Sequence, residues 1–399
     1  MTVVPKKPHA LNIVFGSHTP MGSVFVVGSH HLAHEFTKYG HRVLHLSTPV
    51  TIAHLLRWAN PRVQFRFRNW LDNGCVVNKD LIDYVPLSLV PWQVARRLGK
   101  IHLFLTTLPS IKYCLRKFGF SEVDVLLIDS PSLAGLQKYV KARVMGYRAT
   151  DLYSEQIGVA IDDVERELAH QADFLIGTSV PVMNHLSSLA PSKLLYLLEN
   201  GVDYDFFSTP TNPPPEYGKI SSPRLVYAGA FDDRFGYGIV TELAETLPNV
   251  NVVLIGPCPK DASRLLDGRS NLHVLGPKSY AQLPAYFQHA DIGLLPLSNH
   301  PANDGRSPMK LFEYGASGLP VVASRTIELA RRNLDFTRLA NSPREFAEQV
   351  SRLLENSDER IEISRLAKAA SASHSWTRIA EQIIQDICIK ALDEREACV

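Results

Sequence analysis

Residues 307–322 read SPMKLFEYGASGLPVV, and the parts of this run have separable physical jobs. Lys310, Leu311, Phe312 and Glu313 predict a helix that starts just after a loop carrying Ser307 and Met309. Its first backbone N–H groups and the Lys310 ammonium then face the same place, a natural seat for a diphosphate. Glu313, one turn further on, can accept hydrogen bonds from a diol such as ribose. Gly318 and Pro320 stop the helix, and Val321 and Val322 begin a buried strand. A plainer reading makes Lys310 and Glu313 an exposed i,i+3 pair, worth only a few tenths of a kcal/mol. The residues alone leave both readings open.

Other residues of suitable type fall at the ends of predicted strands. Asp151 follows Val144–Tyr147, at the carboxyl end where a doubly wound sheet places functional side chains. A partly buried carboxylate there can act as a general base. It can equally cap the helix that begins near Ser154 or Gln156. Gly229 and Ala230 follow Leu225–Tyr227 and let backbone approach a ligand closely. Phe231 can wall such a ligand or belong to the core, and Arg234 can hold a phosphate or point into solvent. Gly276, Pro277 and Lys278 follow Leu272–Leu275. Near the amino terminus, a loop from Gly16 to Ser23 contains His18 and Gly22 but no GxGxxG, so the dinucleotide fingerprint is absent. The pair His30 and His31 has no HExxH companion, and Asp162 and Asp163, adjacent on a predicted helix, point away from one common site. No required metal and no cofactor are expected. A diphosphate would instead be neutralised by Lys310, a helix dipole and Arg234 or Arg306.

The elements that must position these residues form two series. Leu11–Phe15, Arg42–Leu46, Val125–Ile128, Val144–Tyr147 and Phe174–Ile176 read as parallel strands with crossover helices. Leu225–Tyr227, Val250–Ile255, Leu272–Leu275, Ile292–Leu295 and Val321–Val322 repeat the pattern. Between them STPTNPPP (208–215) suits neither helix nor strand interior, so an amino domain of residues 1–207 and a carboxyl domain of 208–375 are predicted. Residues 376–399 read as a helix that packs back across the linker. The fold class is therefore α/β, two Rossmann-like domains facing a cleft, with ligands at the carboxyl ends of the strands.

The 399 residues carry a net charge of +2, but the first 150 hold 19 Lys+Arg against 7 Asp+Glu, leaving 23 against 33 for the rest. A basic amino half predicts an anionic partner, such as a membrane surface or a phosphorylated lipid acceptor. No nucleic-acid motif accompanies it. Arg57–Trp70, Trp92–Lys100 and Lys112–Phe120 combine cations with aromatics suited to a headgroup interface, or else form an ordinary solvated face. Five scattered cysteines without a CxxC pair point to a reducing compartment. No secretory or bilayer-spanning apolar stretch is read, so a cytoplasmic location is expected, peripheral on the inner face of a membrane.

The run SPMKLFEYGASGLPVV resembles the donor-binding helix of family 4-like GT-B glycosyltransferases. Asn200-Gly201-Val202-Asp203, with Phe206 and Phe207, is similar to the turn closing their amino domain, and Asn271–Leu295 resembles their stretch from the nucleotide-base loop to the next strand. Tyr147–Asp151, Val164–Glu167 and the SxMKL pattern resemble the membrane-associated glucuronosyltransferases of xanthan assembly. The resemblance implies transfer from a UDP-sugar, perhaps a uronic acid donor, to a lipid-linked or oligosaccharide acceptor, inverting at carbon with Asp151 as base. It implies donor contacts at Gly276 and Lys278, and acceptor or phosphate contacts at His18 and Gly22. Two departures stand out: Gly305 occupies the position of a second Glu usual in retaining members, and the usual Arg and Lys-Gly pair after the first carboxyl-domain strand is replaced by GAFDDR (229–234). A retaining transferase, a UDP-sugar epimerase and a non-catalytic nucleotide-sugar binder therefore remain as alternatives.

Overall fold

Short β-branched runs alternating with amphipathic helices build two parallel sheets. The computed structural model describes residues 10–23, 25–91, 94–95, 103–259 and 264–397. By contact clustering the chain divides into two units: one runs to Gly177, resumes from Met183 to Leu197 and again from Ile379, and the other comprises Thr178–Val182 and Leu198–Arg378.

The first unit holds an eight-stranded sheet of β1 (Asn12–Ser17), β2 (Arg42–Ser47), β3 (Cys75–Asn78), β4 (Leu81–Tyr84), β5 (Val123–Ile128), β6 (Ala142–Ala149), β7 (Phe174–Gly177) and β8 (Leu194–Leu197). Its order is β8-β7-β6-β5-β1-β2-β4-β3, parallel except for β3 against β4. The direction of winding reverses between β1 and β5, so side chains just beyond these two strands share the crevice where such sheets bind ligands. α1 (Gly28–Lys38) buries Leu32, Ala33 and Phe36 against this sheet, with the Phe36 ring 6.1 Å from that of Phe15. Burial of each such side chain contributes about 1.5–3 kcal/mol. α2 (Pro61–Leu71) is capped by Asn60 and buries Val63 and Phe67.

The second unit holds β9 (Arg224–Ala228), β10 (Asn251–Ile255), β11 (Leu272–Gly276), β12 (Ile292–Leu295), β13 (Val321–Ser324) and β14 (Thr337–Ala340). Their order is β11-β10-β9-β12-β13-β14, all parallel, with the reversal between β9 and β12. The proline-rich run is not free here: Thr211 donates to Gln288 Oε1 through both its amide and its hydroxyl, each at 2.9 Å. Phe207 is fully buried in the second core, and Val202 pairs with Ser375. The division of the chain consequently falls at Leu197 and Leu198, before position 207. At the other end, Arg395 docks on the first unit, donating to Arg143 O and to Asp173 Oδ1 at 2.6 Å each. Among the described residues no helix is long and apolar enough to cross a membrane.

Candidate functional site

In the second unit, α3 (Met309–Ala316) leaves a loop at the carboxyl side of β12. Its apolar residues Leu311, Phe312 and Tyr314 are buried, and Gly315 is required because a Cβ there would stand 2.3 Å from Ser371 Oγ. This packing fixes the Lys310 ammonium, one quarter exposed, 2.5 Å from Oε2 of Glu313, whose side chain has no exposed surface. Glu313 Oε1 is buried without a hydrogen-bond partner. The pair is therefore the buried reading of the sequence, not the solvated one, and it leaves one acceptor oxygen unused.

Ser307 is buried and holds the loop in place. Its hydroxyl accepts from the Asn200 amide at 3.1 Å and from Arg332 Nη2 at 2.7 Å, while Asn200 Nδ2 donates to Ser307 O at 2.8 Å. Gly305 O accepts from Ser179 Oγ, and Asp304 accepts from the Ile327 amide at a helix start. Asp304 is thus engaged in capping and does not substitute for the acid that Gly305 lacks. Met309 begins α3 half-buried.

Gly229 lies against the next loop. Its amide donates to Ile255 O, and a Cβ on Gly256 would fall 1.8 Å from Gly229 O. Three of the side chains read as donor contacts are otherwise engaged. Phe231 is core, packed on Tyr227 and Phe235 at 5.6 and 4.9 Å. An aromatic ring beside two others gains more from burial than from facing water. Arg234 folds back onto Asp232 Oδ2, with Nη2 at 2.6 Å and Nε at 3.2 Å, so most of its charge is already matched. Lys278 pairs with Glu216 at 2.5 Å and lies 5.7 Å over the Tyr286 ring. Ala230 is half-buried, and its carbonyl accepts from Tyr227 Oη at 2.9 Å. Arg306, half-buried, acts electrostatically on both Tyr227 and Asp232. Gly276 adopts a φ of 70° and turns the chain toward Tyr280. That ring lies 6.0 Å from Lys310 Nζ and stacks on Phe206 at 5.2 Å. Burial, with the charges of Glu313 and Asp203, pushes the Tyr280 phenol far up. Tyr280, Arg332 and Asn200 were not among the residues singled out as site members by type. The NGVD turn and the 271–295 stretch were the available signals.

In the first unit, sheet order gathers a second group. His18 follows β1, Asp129 follows β5 and Asp151 follows β6, three adjacent strands. His18 Nδ1 is 3.9 Å from Asp129 Oδ1, an ion-pair distance, with His18 45% exposed and Asp129 2%. Arg148, on β6, is almost wholly buried and acts on the same carboxylate. Burial pulls the His18 imidazole down, but Asp129 and then Asp151 outweigh it and hold its pKa above the ordinary value. Asp129 is correspondingly held low: burial raises it, and His18, Arg148 and His45 more than reverse that. Asp151 is half-buried. The helix after it begins at Tyr153, with Leu152 at the cap position and no side-chain cap hydrogen bond. Tyr153 Oη donates to Asp129 O at 2.6 Å and shares a hydrogen bond with Thr150.

The loop bearing His18 is stapled from beneath. His30 Nε2 lies 2.9 Å from Thr19 O, Ser17 Oγ lies 2.7 Å from Ser29 Oγ, and the Met21 amide donates to Asp83 Oδ1. Asp83 also holds His45 at 2.7 Å and accepts from Asn69 at 3.0 Å. His30 is buried, and that burial, with the neighbouring His45, pushes its pKa down to about 3. Gly22, at the exposed tip, needs its positive φ of 77° because Phe65 packs against it. Asp129, Arg148, His30, His45 and Asp83 went unread in the sequence. Each is a lone polar residue near a strand end.

Comparison with known proteins adds to this geometry. Residues 238–385 match the family model described as Glycosyl transferase-like. TuaH of Bacillus subtilis (strain 168), a glycosyltransferase assigned to teichuronic acid biosynthesis, is 25% identical over 182 residues. That match covers 44% of this chain and 46% of TuaH, under half of either. In three dimensions the chain is similar to sucrose-phosphate synthase from Thermosynechococcus elongatus, with a TM-score of 0.71 at 14% identity, over 94% of this chain and 98% of the other. It is also similar to Anabaena HepE in complex with UDP-glucose, with a TM-score of 0.69 at 16% identity, over 94% and 99%. At these identities the likeness concerns the fold, and that fold is GT-B.

Proposed function

We propose that this chain is a glycosyltransferase that takes a sugar from a UDP-sugar donor and passes it to a lipid-linked or oligosaccharide acceptor, inverting at the anomeric carbon. The observation that carries the reading is the Lys310–Glu313 pair, in which a fully buried carboxylate keeps one oxygen without a partner while its cation reaches solvent. Such a pair suits a ribose diol beside a diphosphate, under the first amides of α3. The match of residues 238–385 to the Glycosyl transferase-like model and the likeness to HepE, a protein seen with UDP-glucose, support it.

In this mechanism the Asp151 carboxylate takes the proton of the acceptor hydroxyl. The hydroxyl oxygen bonds to the anomeric carbon as the bond from that carbon to the diphosphate oxygen breaks, and the nucleoside diphosphate departs with the electron pair. Lys310 and the amino end of α3 neutralise the departing charge, and no divalent metal is needed. Protonated His18, held by Asp129 beside Asp151, keeps that carboxylate ionised. A uronic acid as the transferred sugar accords with the sequence resemblance of Tyr147–Asp151 and the SxMKL pattern.

The acceptor reading draws on one more surface. Ile52, Leu55 and Trp58 are about half exposed and Leu56 is 92% exposed. Arg57 and Arg62 are exposed beside them. Apolar side chains ringed by arginine suit an anionic bilayer. Most of Trp92–Lys100 lies outside the described residues, and in Lys112–Phe120 the aromatic Phe120 is buried.

Calorimetric titration with UDP-, GDP- and TDP-sugars tests the donor. One UDP-sugar should bind, more weakly after Lys310→Ala and equally after Asp151→Ala. Binding of none would sink the proposal. Product anomer by NMR separates inversion from retention, and donor conversion without acceptor would mark an epimerase. Tight donor binding with neither transfer nor hydrolysis would leave a binding protein.

A further inference from the structure

Asp162 and Glu165 stand one turn apart at the start of the helix Asp162–Gln171, and His185 stands on the helix Val180–Leu189. Along the sequence Asp162 and Asp163 diverge. In space Asp162 turns to meet Glu165 and His185, the one group of this kind among the described residues. His185 Nε2 is 3.0 Å from Glu165 Oε2 and 3.9 Å from Asp162 Oδ1, and the three donor atoms all lie within 4.8 Å of one another. A tetrahedral zinc with bonds of about 2.0–2.1 Å has ligand-to-ligand edges of about 3.3 Å, which these separations bracket.

Two independent observations point to a cation here. Asp162 Oδ1 is buried and has no hydrogen-bond partner, so it lacks the donor or positive charge that a buried carboxylate oxygen requires. Glu165, with no exposed surface, receives the Tyr147 hydroxyl on Oε1 at 2.5 Å, which leaves Oε2 to face the group. An outer hydrogen bond that orients a ligating carboxylate in this way is usual around bound metals. His185 is 16% exposed and Asp162 30%, so an ion can reach the site from solvent.

We infer that Asp162, Glu165 and His185 form a three-ligand site for a transition-metal dication of the Zn²⁺ class, which ties the two helices together. With the ring proton on Nδ1, His185 offers the Nε2 lone pair, two carboxylate oxygens supply charge, and water completes the shell. The site uses none of the residues assigned to sugar transfer and stands independently of that assignment. Its role is structural, so transfer at ambient temperature does not require it.

The test uses the full chain stripped with chelator and titrated with CoCl₂ and ZnCl₂. One equivalent of Co²⁺ should give the intense visible bands of a low-coordinate site, Zn²⁺ should displace it, and Tm should rise. His185→Ala should weaken binding by ~100-fold or more and Asp162→Asn by ~10-fold, on the scale of lost ligands and supports, with nucleotide-sugar binding retained. Unchanged stoichiometric binding in both variants, or no binding by folded wild type, overturns the inference. Should His185→Ala fail to fold, Asp162→Asn decides, since it keeps the side chain's size at a partly exposed position.

Discussion

Lys310 reaches forward one helical turn to Glu313, setting a partly exposed ammonium 2.5 Å from a carboxylate that water does not touch. The contact ties stability and ligand binding to the same two side chains. Lys310→Ala leaves Glu313 buried and uncompensated, a change that typically costs about 3–5 kcal/mol. The double variant Lys310→Met with Glu313→Gln should recover most of that loss, because it removes both charges. Urea midpoints should thus separate the single from the double variant, whereas calorimetry should find UDP-sugar binding weakened in both.

Asp151→Asn keeps shape and removes the proton acceptor. Turnover should fall ~10²–10⁴-fold, the usual worth of a positioned general base. The donor dissociation constant should not move. Single-turnover kinetics beside a binding titration check both; an equal loss in binding would assign Asp151 to structure.

The histidines of the first unit predict opposite pH signatures. His18 has a raised pKa in the folded chain, so its contribution is fully present below its unfolded value of about 6.5 and is lost as pH rises through the higher folded value. The Tm difference between wild type and His18→Gln should therefore shrink as pH rises above neutrality. His30 titrates near 3 when folded. The unfolded chain binds its proton first, so stability falls as pH drops from about 6.5 toward 3. A flatter acid limb is expected for His30→Gln, and thermal melts across pH 4–9 read both effects.

Gly256→Ala tests the close approach of two loops. Its Cβ would meet Gly229 O at 1.8 Å, at a φ of 149°. Backbone cannot yield as a flexible side chain does, so a loss at the upper end of the about 1–3 kcal/mol range for overpacking is expected. Donor affinity should fall with it. Normal stability and affinity would show that the Gly229 loop is free to move.

Leu56→Glu places a charge on the most exposed of the apolar side chains between Ile52 and Trp58. Sedimentation with vesicles of anionic phospholipid should drop several-fold while soluble-donor binding is kept. Equal sedimentation of both proteins would remove this surface from the acceptor reading.

The strands that were legible in sequence are the buried ones, since β-branched runs flanked by helices admit few other folds. Cys75–Asn78, Leu81–Tyr84, Leu194–Leu197 and Thr337–Ala340 were not read. Three of these stretches lie at sheet edges, where exposed positions blur the apolar run. The 307–322 segment was legible because helix start, cation and acid fall within one turn. The group at His18, Asp129, Arg148 and Asp151 was only partly so, because it exists through lateral strand order, which spacing along the chain does not encode. Phe231, Arg234 and Lys278 show the opposite failure. Their types suit a ligand, but an aromatic neighbour, an aspartate two residues away and a linker glutamate claim them first.

Because the first unit recruits the segment from Ile379 onward, and the second recruits Thr178–Val182, neither is a continuous stretch of chain. During synthesis the earlier-made half must wait, unfinished at one flank, until the ribosome has delivered the whole of the later half. A gene cut at the proline-rich run would therefore release two incomplete pieces rather than two domains, and the halves should regain their fold only when expressed together.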